Sequence, residues 1–199
     1  MTRHARTGWL LVGLAAAAAT LPTPGHAQGS QKPIAAPKRP VEPEKNPPGD
    51  IPDTQAFLRY DSPLGFSVKV PEGWARTDLP DGVRFADKYD TVEVTVRDAA
   101  QAPTAAGAAK DVVPALERSG RAVRVSAVED VSLPAGRAVR IVYASNSDPN
   151  PVTDKRVRLE DEDYLFHKDG KLVTLHLAAP YGADNVDDWR MMAHDFAWR

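Results

Sequence analysis

An Asp169-Gly170 pair, preceded by Lys168, stands between two runs of strand-forming residues, Arg156 to His167 and Lys171 to Ala179. Asp-Gly supplies the positive backbone φ that a tight two-residue turn needs, so the two runs must fold back on each other as an antiparallel hairpin. A chain that contains such a pair is committed to an antiparallel sheet, and the rest of the sequence is read against that. Thr91 to Arg97 alternates strictly, with Val92, Val94 and Val96 on one face and Thr, Glu, Thr and Arg on the other, so one face is core and the other wet. Leu58-Arg59-Tyr60 and Phe66 to Val70 flank the turn-forming loop Asp61 to Gly65 and predict a further hairpin. Short extended pieces follow at Trp74 and at Val83 to Ala86. Val123 to Leu133 and Arg137 to Ser145 form another pair of strands about Pro134-Ala135-Gly136.

Two segments change period. From Thr104 to Ser119, Ala105, Ala108, Ala109, Val112, Val113 and Leu116 recur at three- and four-residue spacing, which predicts an amphipathic helix capped by Thr104. Pro114 lies inside it and must kink it or split it in two. Near the end, Val186, Trp189, Met192, Ala193 and Phe196 form an apolar stripe on a second helix, with Asp184 or Asn185 as its cap. Strands followed by a helix, then strands and a helix again, with hairpins in place of βαβ units, predict an α+β domain over residues 55–199. Its antiparallel sheet has helices packed on it.

The first 54 residues are of a different kind. Arg3, His4 and Arg6 precede an apolar, alanine-rich stretch from Trp9 to Leu21, then Pro22, Pro24 and Gly25-His26-Ala27. Basic head, short apolar run and small residues before Gln28 are the parts of a Sec-type secretory signal over residues 1–27. Its apolar run is shorter than a membrane span, and after cleavage before Gln28 no spanning segment remains; a signal kept uncleaved as an anchor is the alternative. Residues 28–54 carry prolines at 33, 37, 40, 43, 47, 48 and 52 with little to bury, and predict a disordered, semi-extended tether.

Composition narrows the function. There is no cysteine, which excludes disulfides, thiolate nucleophiles, cysteine-bound zinc and a lipidated cysteine at the cleavage site. The chain holds 25 basic against 27 acidic residues, and the leader takes away Arg3 and Arg6, so the mature chain is weakly acidic with no basic block. That balance argues against nucleic acid as a partner. The nucleophile elbow, phosphate loop, zinc-protease and dinucleotide signatures are absent. His167, His176 and His194 have no metal-ligand spacing, and no metal or other cofactor is expected. Asn146, Asp148, Asn150 and Asp154 make an oxygen-rich loop, but an EF-hand counted from Asn146 would need Gly where Pro151 stands and Glu where Val157 stands. In Glu160-Asp161-Glu162-Asp163, alternation sets Glu160 and Glu162 on the face of Arg156 and Arg158, where ion pairing is the simpler account. Arg140, between Val139 and Ile141, needs a carboxylate or ligand partner if its face is covered. No catalytic residue is assigned. Arg140, Asp154, Glu160 and His176 are the candidate binding residues.

Tyr60-Asp61-Ser62-Pro63-Leu64-Gly65-Phe66, then Val70-Pro71-Glu72-Gly73-Trp74 and Val83-Arg84-Phe85, resembles the opening of Mog1/PsbP-like domains. The closing stretch from Gly182 through Trp189 to Phe196 is similar to the final helix of actinobacterial LpqN-type exported lipoproteins, although the lipidated cysteine of those proteins is missing. The resemblance implies an antiparallel sheet sandwiched between helices (an α/β/α sandwich) and a binding or accessory role. The expectation is therefore an exported, secreted or envelope-associated, non-catalytic domain of the bacterial cell envelope that holds an envelope protein or a small ligand. A hydrolase or lyase with a site assembled from scattered residues is the alternative.

Overall fold

The computed structural model describes residues 39–199, so the leader at 1–27 and residues 28–38 of the expected tether lie outside the described residues. Strand far outweighs helix, 47% of the described residues against 16%, which makes the domain mainly β with a few helices. Among the described residues ten strands form two sheets. Strands β1 (Phe57–Ser62) and β2 (Phe66–Pro71) are the expected hairpin, and the two-residue β10 (Ala197–Trp198) pairs with β2 to complete a small three-stranded sheet. The other strands are β3 (Ala75–Leu79), β4 (Gly82–Asp87), β5 (Asp90–Asp98), β6 (Arg124–Leu133), β7 (Gly136–Asn146), β8 (Arg158–Lys168) and β9 (Lys171–Pro180). They make a seven-stranded sheet in the order β3-β4-β5-β9-β8-β7-β6, antiparallel throughout. One meander, β3 to β5, meets a second, β6 to β9, along the β5/β9 pairing.

The crossing between the meanders is the segment that carries Pro114. It divides into α1 (Ala105–Gly107), a π-helical turn (Ala108–Val112) and α2 (Val113–Ser119), with Pro114 in the first turn of α2. Proline has no N–H to give to the preceding turn, so a wider turn there accommodates it. Thr104 caps as expected, its hydroxyl accepting from the Gly107 N–H. The last helix, α3 (Val186–Asp195), buries Trp189, Met192 and Ala193.

Alternation along the strands separates two cores. The larger lies between the seven-stranded sheet, α3 and the small sheet. Phe66, Phe166 and Phe196 are fully buried there, the last two stacked at 4.3 Å between ring centres. The smaller core, on the opposite face, puts Val139, Ile141, Leu165 and Leu172 under Ala108, Val112 and Leu116. The α1–α2 segment is short and covers only part of that face.

Two expectations change. Asn185 occupies the N-cap position of α3, its backbone oxygen accepting from Trp189 N at 2.9 Å, but its side chain makes no capping bond. Its carboxamide instead accepts from Ile51 N at 2.7 Å and donates to Gly49 O at 2.8 Å. From Arg39 on, the proline-rich stretch is thus fastened to the domain: Asn146 also bonds to Arg39 O and Val41 N, and Ile51 is part of the larger core. Composition reads those residues as a free spacer because their anchors are single side chains elsewhere in the chain. Among the described residues no helix is long and apolar enough to cross a membrane.

Candidate functional site

The half-covered face of the seven-stranded sheet holds a cleft of about 780 Å³ between β3–β5, the C-terminal end of α2 and the loop after β7. At its inner end, three neighbouring strands bring together His176 of β9, Asp161 and Asp163 of β8, and Tyr143 of β7. Asp163 lies directly across from His176, and Asp161 directly across from Tyr143. The His176 Nδ1 donates to Asp163 Oδ1 at 2.8 Å, and the Tyr143 hydroxyl is 3.4 Å from the same oxygen. The Nδ1 proton fixes the ring so that Nε2 faces the cleft, where the nearest carboxylate oxygen, Asp161 Oδ1, is 3.9 Å away and beyond hydrogen-bond reach.

The electrostatics follow from burial under several carboxylates. Burial works to depress the His176 imidazole, but the hydrogen bond and charge of Asp163, joined by Asp161 and Glu93, outweigh it and raise the group to about 9. His176 is therefore a fixed cation at neutral pH, its side chain 24% exposed. Burial pushes the Asp161 carboxyl up to about 6, against His176, Ser145 and Arg158, which favour its charge. The Asp161 side chain is only 4% exposed, and its Oδ2 is the one buried side-chain polar atom among the described residues with no hydrogen-bond partner. Burial and the surrounding carboxylates raise the Tyr143 phenol far above its ordinary range, so it stays protonated.

The four residues singled out in the sequence do not meet. His176 is in the cleft. Arg140 is on the opposite face, forked onto Glu162 with Nε to Oε2 at 3.0 Å and Nη2 to Oε1, and bound to Glu129 at 2.7 Å. Tyr164 donates to Glu162 at 2.8 Å and completes that cluster. Glu160 lies on the Arg140 side, lining a smaller hollow with Arg124 and Arg158. Asp154 sits in an exposed loop with a positive φ of 54°. The pairing expected of Arg156 and Arg158 with the acidic run is replaced. Glu162 takes Arg140, while buried Arg158 donates to Ala122 O and Asn146 Oδ1. The oxygens of the 146–154 loop are turned on the protein itself: Asn150 accepts from Val152 N and Thr153 N, and Asp148 pairs with Arg121. The described residues contain no group of three or more His, Asp or Glu placed to hold a metal.

Sequence reasoning passed over Asp161, Asp163 and Tyr143. The signal for one of them was present, because counting outward from the Asp169-Gly170 turn, with Lys168 opposite Lys171, brings Asp163 opposite His176.

This is a mainly β, antiparallel architecture with a ligand-sized cleft on one face of its larger sheet. No protein-family model matches the sequence, and no curated protein matches it. Among solved structures, the cyanobacterial PsbP protein CyanoP of Synechocystis sp. PCC 6803 is similar over 76% of this chain and 98% of its own, at 18% identity and a TM-score of 0.53. The chain has a PsbP-like fold. More distant likenesses are a 1.50 Å crystal structure from Bacteroides thetaiotaomicron VPI-5482 and a protein of unknown function from Pseudomonas aeruginosa. The first has 10% identity and a TM-score of 0.45, over 71% of this chain and 48% of that one. The second has 14% identity and a TM-score of 0.44, over 72% and 97%.

Proposed function

We propose that this chain is an exported, non-catalytic binding or accessory domain of the bacterial cell envelope, and that its ligand or partner is held in the cleft at His176 and Asp161. On this reading the helices on either side of the seven-stranded sheet make an α/β/α sandwich of the kind found in LpqN-type envelope proteins. The observation that carries the proposal is a buried carboxylate oxygen left without a partner at the wall of a cleft of about 780 Å³, a size suited to a small ligand. A buried acceptor of this kind costs about 1–3 kcal/mol unless something donates to it.

Acid–base chemistry is the second reading, favoured by the 2.8 Å contact between His176 and Asp163. An imidazole raised to about 9 is already protonated at neutral pH and cannot accept a proton, so the pair serves better as a fixed polar wall than as a base. The test is a thermal-shift screen on the exported chain, together with N-terminal sequencing of the envelope fraction. A ligand present at 100 times its Kd stabilises the folded state by about 2.7 kcal/mol and raises Tm accordingly. A start at Gln28 and at least one such shift are expected. A chain retained in the cytoplasm, or turnover of a cleft ligand, would overturn the proposal.

A further inference from the structure

The wall and floor of the cleft narrow the ligand class. Strand register sets two parallel rows of side chains across this face. One is Ala75, Ala86, Thr91 and Ala178, ending at Asp161; the other is Thr77, Arg84, Glu93 and His176, ending at Asp163. The first row is all small until its last member. It forms a trough that crosses four inter-strand steps, roughly 19 Å at about 4.8 Å per step. The second row is long and charged, but its charges are matched within the protein: Arg84 lies 3.7 Å from Glu93, and His176 is bonded to Asp163. On the far wall Arg121 is paired with Asp148. Arg158 also contributes positive charge near Asp161. Lys88 stands at the edge of the cleft, beside half-buried Tyr89.

Two groups remain unsatisfied at the end of the trough. The His176 Nε2 donates and has no acceptor among the described residues, while Asp161 Oδ2 accepts and has no donor. Asp161 Oδ2 is itself buried, so a ligand group that bridges the two must press into the inner end of the trough, accepting from one and donating to the other. An ammonium can only donate and would face the imidazolium. A carboxylate can only accept and would face Asp161, and a phosphate would set its negative charge against the same Asp161 carboxylate. A hydroxyl does both. Resting on the cleft-binding reading above, we infer that the ligand is a neutral, hydroxyl-rich linear molecule, an oligosaccharide, lying along the trough. One sugar hydroxyl sits between His176 and Asp161, and Tyr89 offers an aromatic face beside the rings.

The experiment is NMR titration of the isotope-labelled full chain with triacetylchitotriose and with cellotriose at millimolar concentration, against putrescine and inorganic phosphate as the cationic and anionic probes. At least one trisaccharide should shift the His176 ring and the Asp161 and Ala178 amides. Its affinity should fall about tenfold or more in Asp161→Asn and in Ala75→Trp, which fills the exposed end of the trough, and stay unchanged in Arg190→Ala on α3. Trisaccharide binding insensitive to both cleft variants would overturn the inference. Cleft shifts from putrescine or phosphate alone would overturn the saccharide class and leave cleft binding standing, whereas no cleft shift from any probe would overturn both.

Discussion

Strand β8 delivers acidic side chains to both faces of the same sheet, and the two faces treat them differently. On the α3 side, Glu162 is 5% exposed and completely engaged by Arg140 and Tyr164, next to a stacked aromatic core. On the α1–α2 side, Asp161 is equally buried, yet one of its oxygens is bonded to nothing and its carboxyl is raised to about 6. One residue of offset separates a finished ion cluster from an unfinished one. The finished cluster contributes to fixing the sheet; the unfinished one opens onto a cleft. Buried polar groups in folded proteins are nearly always satisfied, so an exception placed at a cleft is more informative than a cluster of charges that is complete.

The two faces differ most in the cores beneath them. Phe166 and Leu165 are neighbours on β8 that face opposite ways. Phe166→Ala should cost about 3–5 kcal/mol in urea unfolding, and Leu165→Ala, on the thinner side, about 2–3 kcal/mol. Equal costs would mean that the two faces are built alike. Next comes Arg140→Met, which strands the buried Glu162 carboxylate and should cost about 3 kcal/mol by the same measurement. A neutral result there would remove the distinction between finished and unfinished clusters.

Stability against pH separates the faces further. His176 is raised above its unfolded value near 6.5, so its contribution is fully present below that pH and is lost as pH climbs through about 9, a step of about 3 kcal/mol. Asp161 is raised as well; its native state holds a proton more tightly than the unfolded chain, so stability falls as pH rises from about 4 through 6. His176→Gln should abolish the upper step and move the lower one to higher pH, because the imidazolium that favours the Asp161 carboxylate is gone, and an upper step that survives would place it elsewhere. The smallest effect belongs to Asp161→Asn. Removing a charge that lacks a full set of partners should change stability at neutral pH by no more than about 1 kcal/mol in either direction, and should shrink without abolishing the step between pH 4 and 6, to which Asp90, pushed up to about 7 by burial, also contributes.

Much of the fold was legible because strand alternation and turn chemistry are local. The β8–β9 and β1–β2 hairpins, the valine face of β5 and the stripe of α3 all stand close to where the residues put them. What was not legible depends on single long-range contacts. Two residues of β10 add the third strand to the small sheet without any periodicity to announce them. Asn185 reads as a helix cap from its position, but spends its carboxamide on Gly49 and Ile51. The candidate site failed in sequence for a related reason. Arg140, Glu160 and His176 each invited attention singly, while the cluster that forms around His176 is a matter of which strands are neighbours and of which face each residue takes.

The β5/β9 pairing carries a consequence for how the molecule assembles. Each meander consists of strands adjacent in sequence and can zip up with short loop closures, whereas joining β5 to β9 must bring together segments on opposite sides of the α1–α2 crossing. Glu93 and His176 face each other at that junction. The cleft floor, which takes Ala86 and Thr91 from one meander and Ala178 and Asp161 from the other, therefore does not exist until the two halves have docked. On the proposed cleft-binding reading, binding competence requires the β5/β9 docking, and a fluctuation that parts the halves would release a bound molecule without unfolding either one.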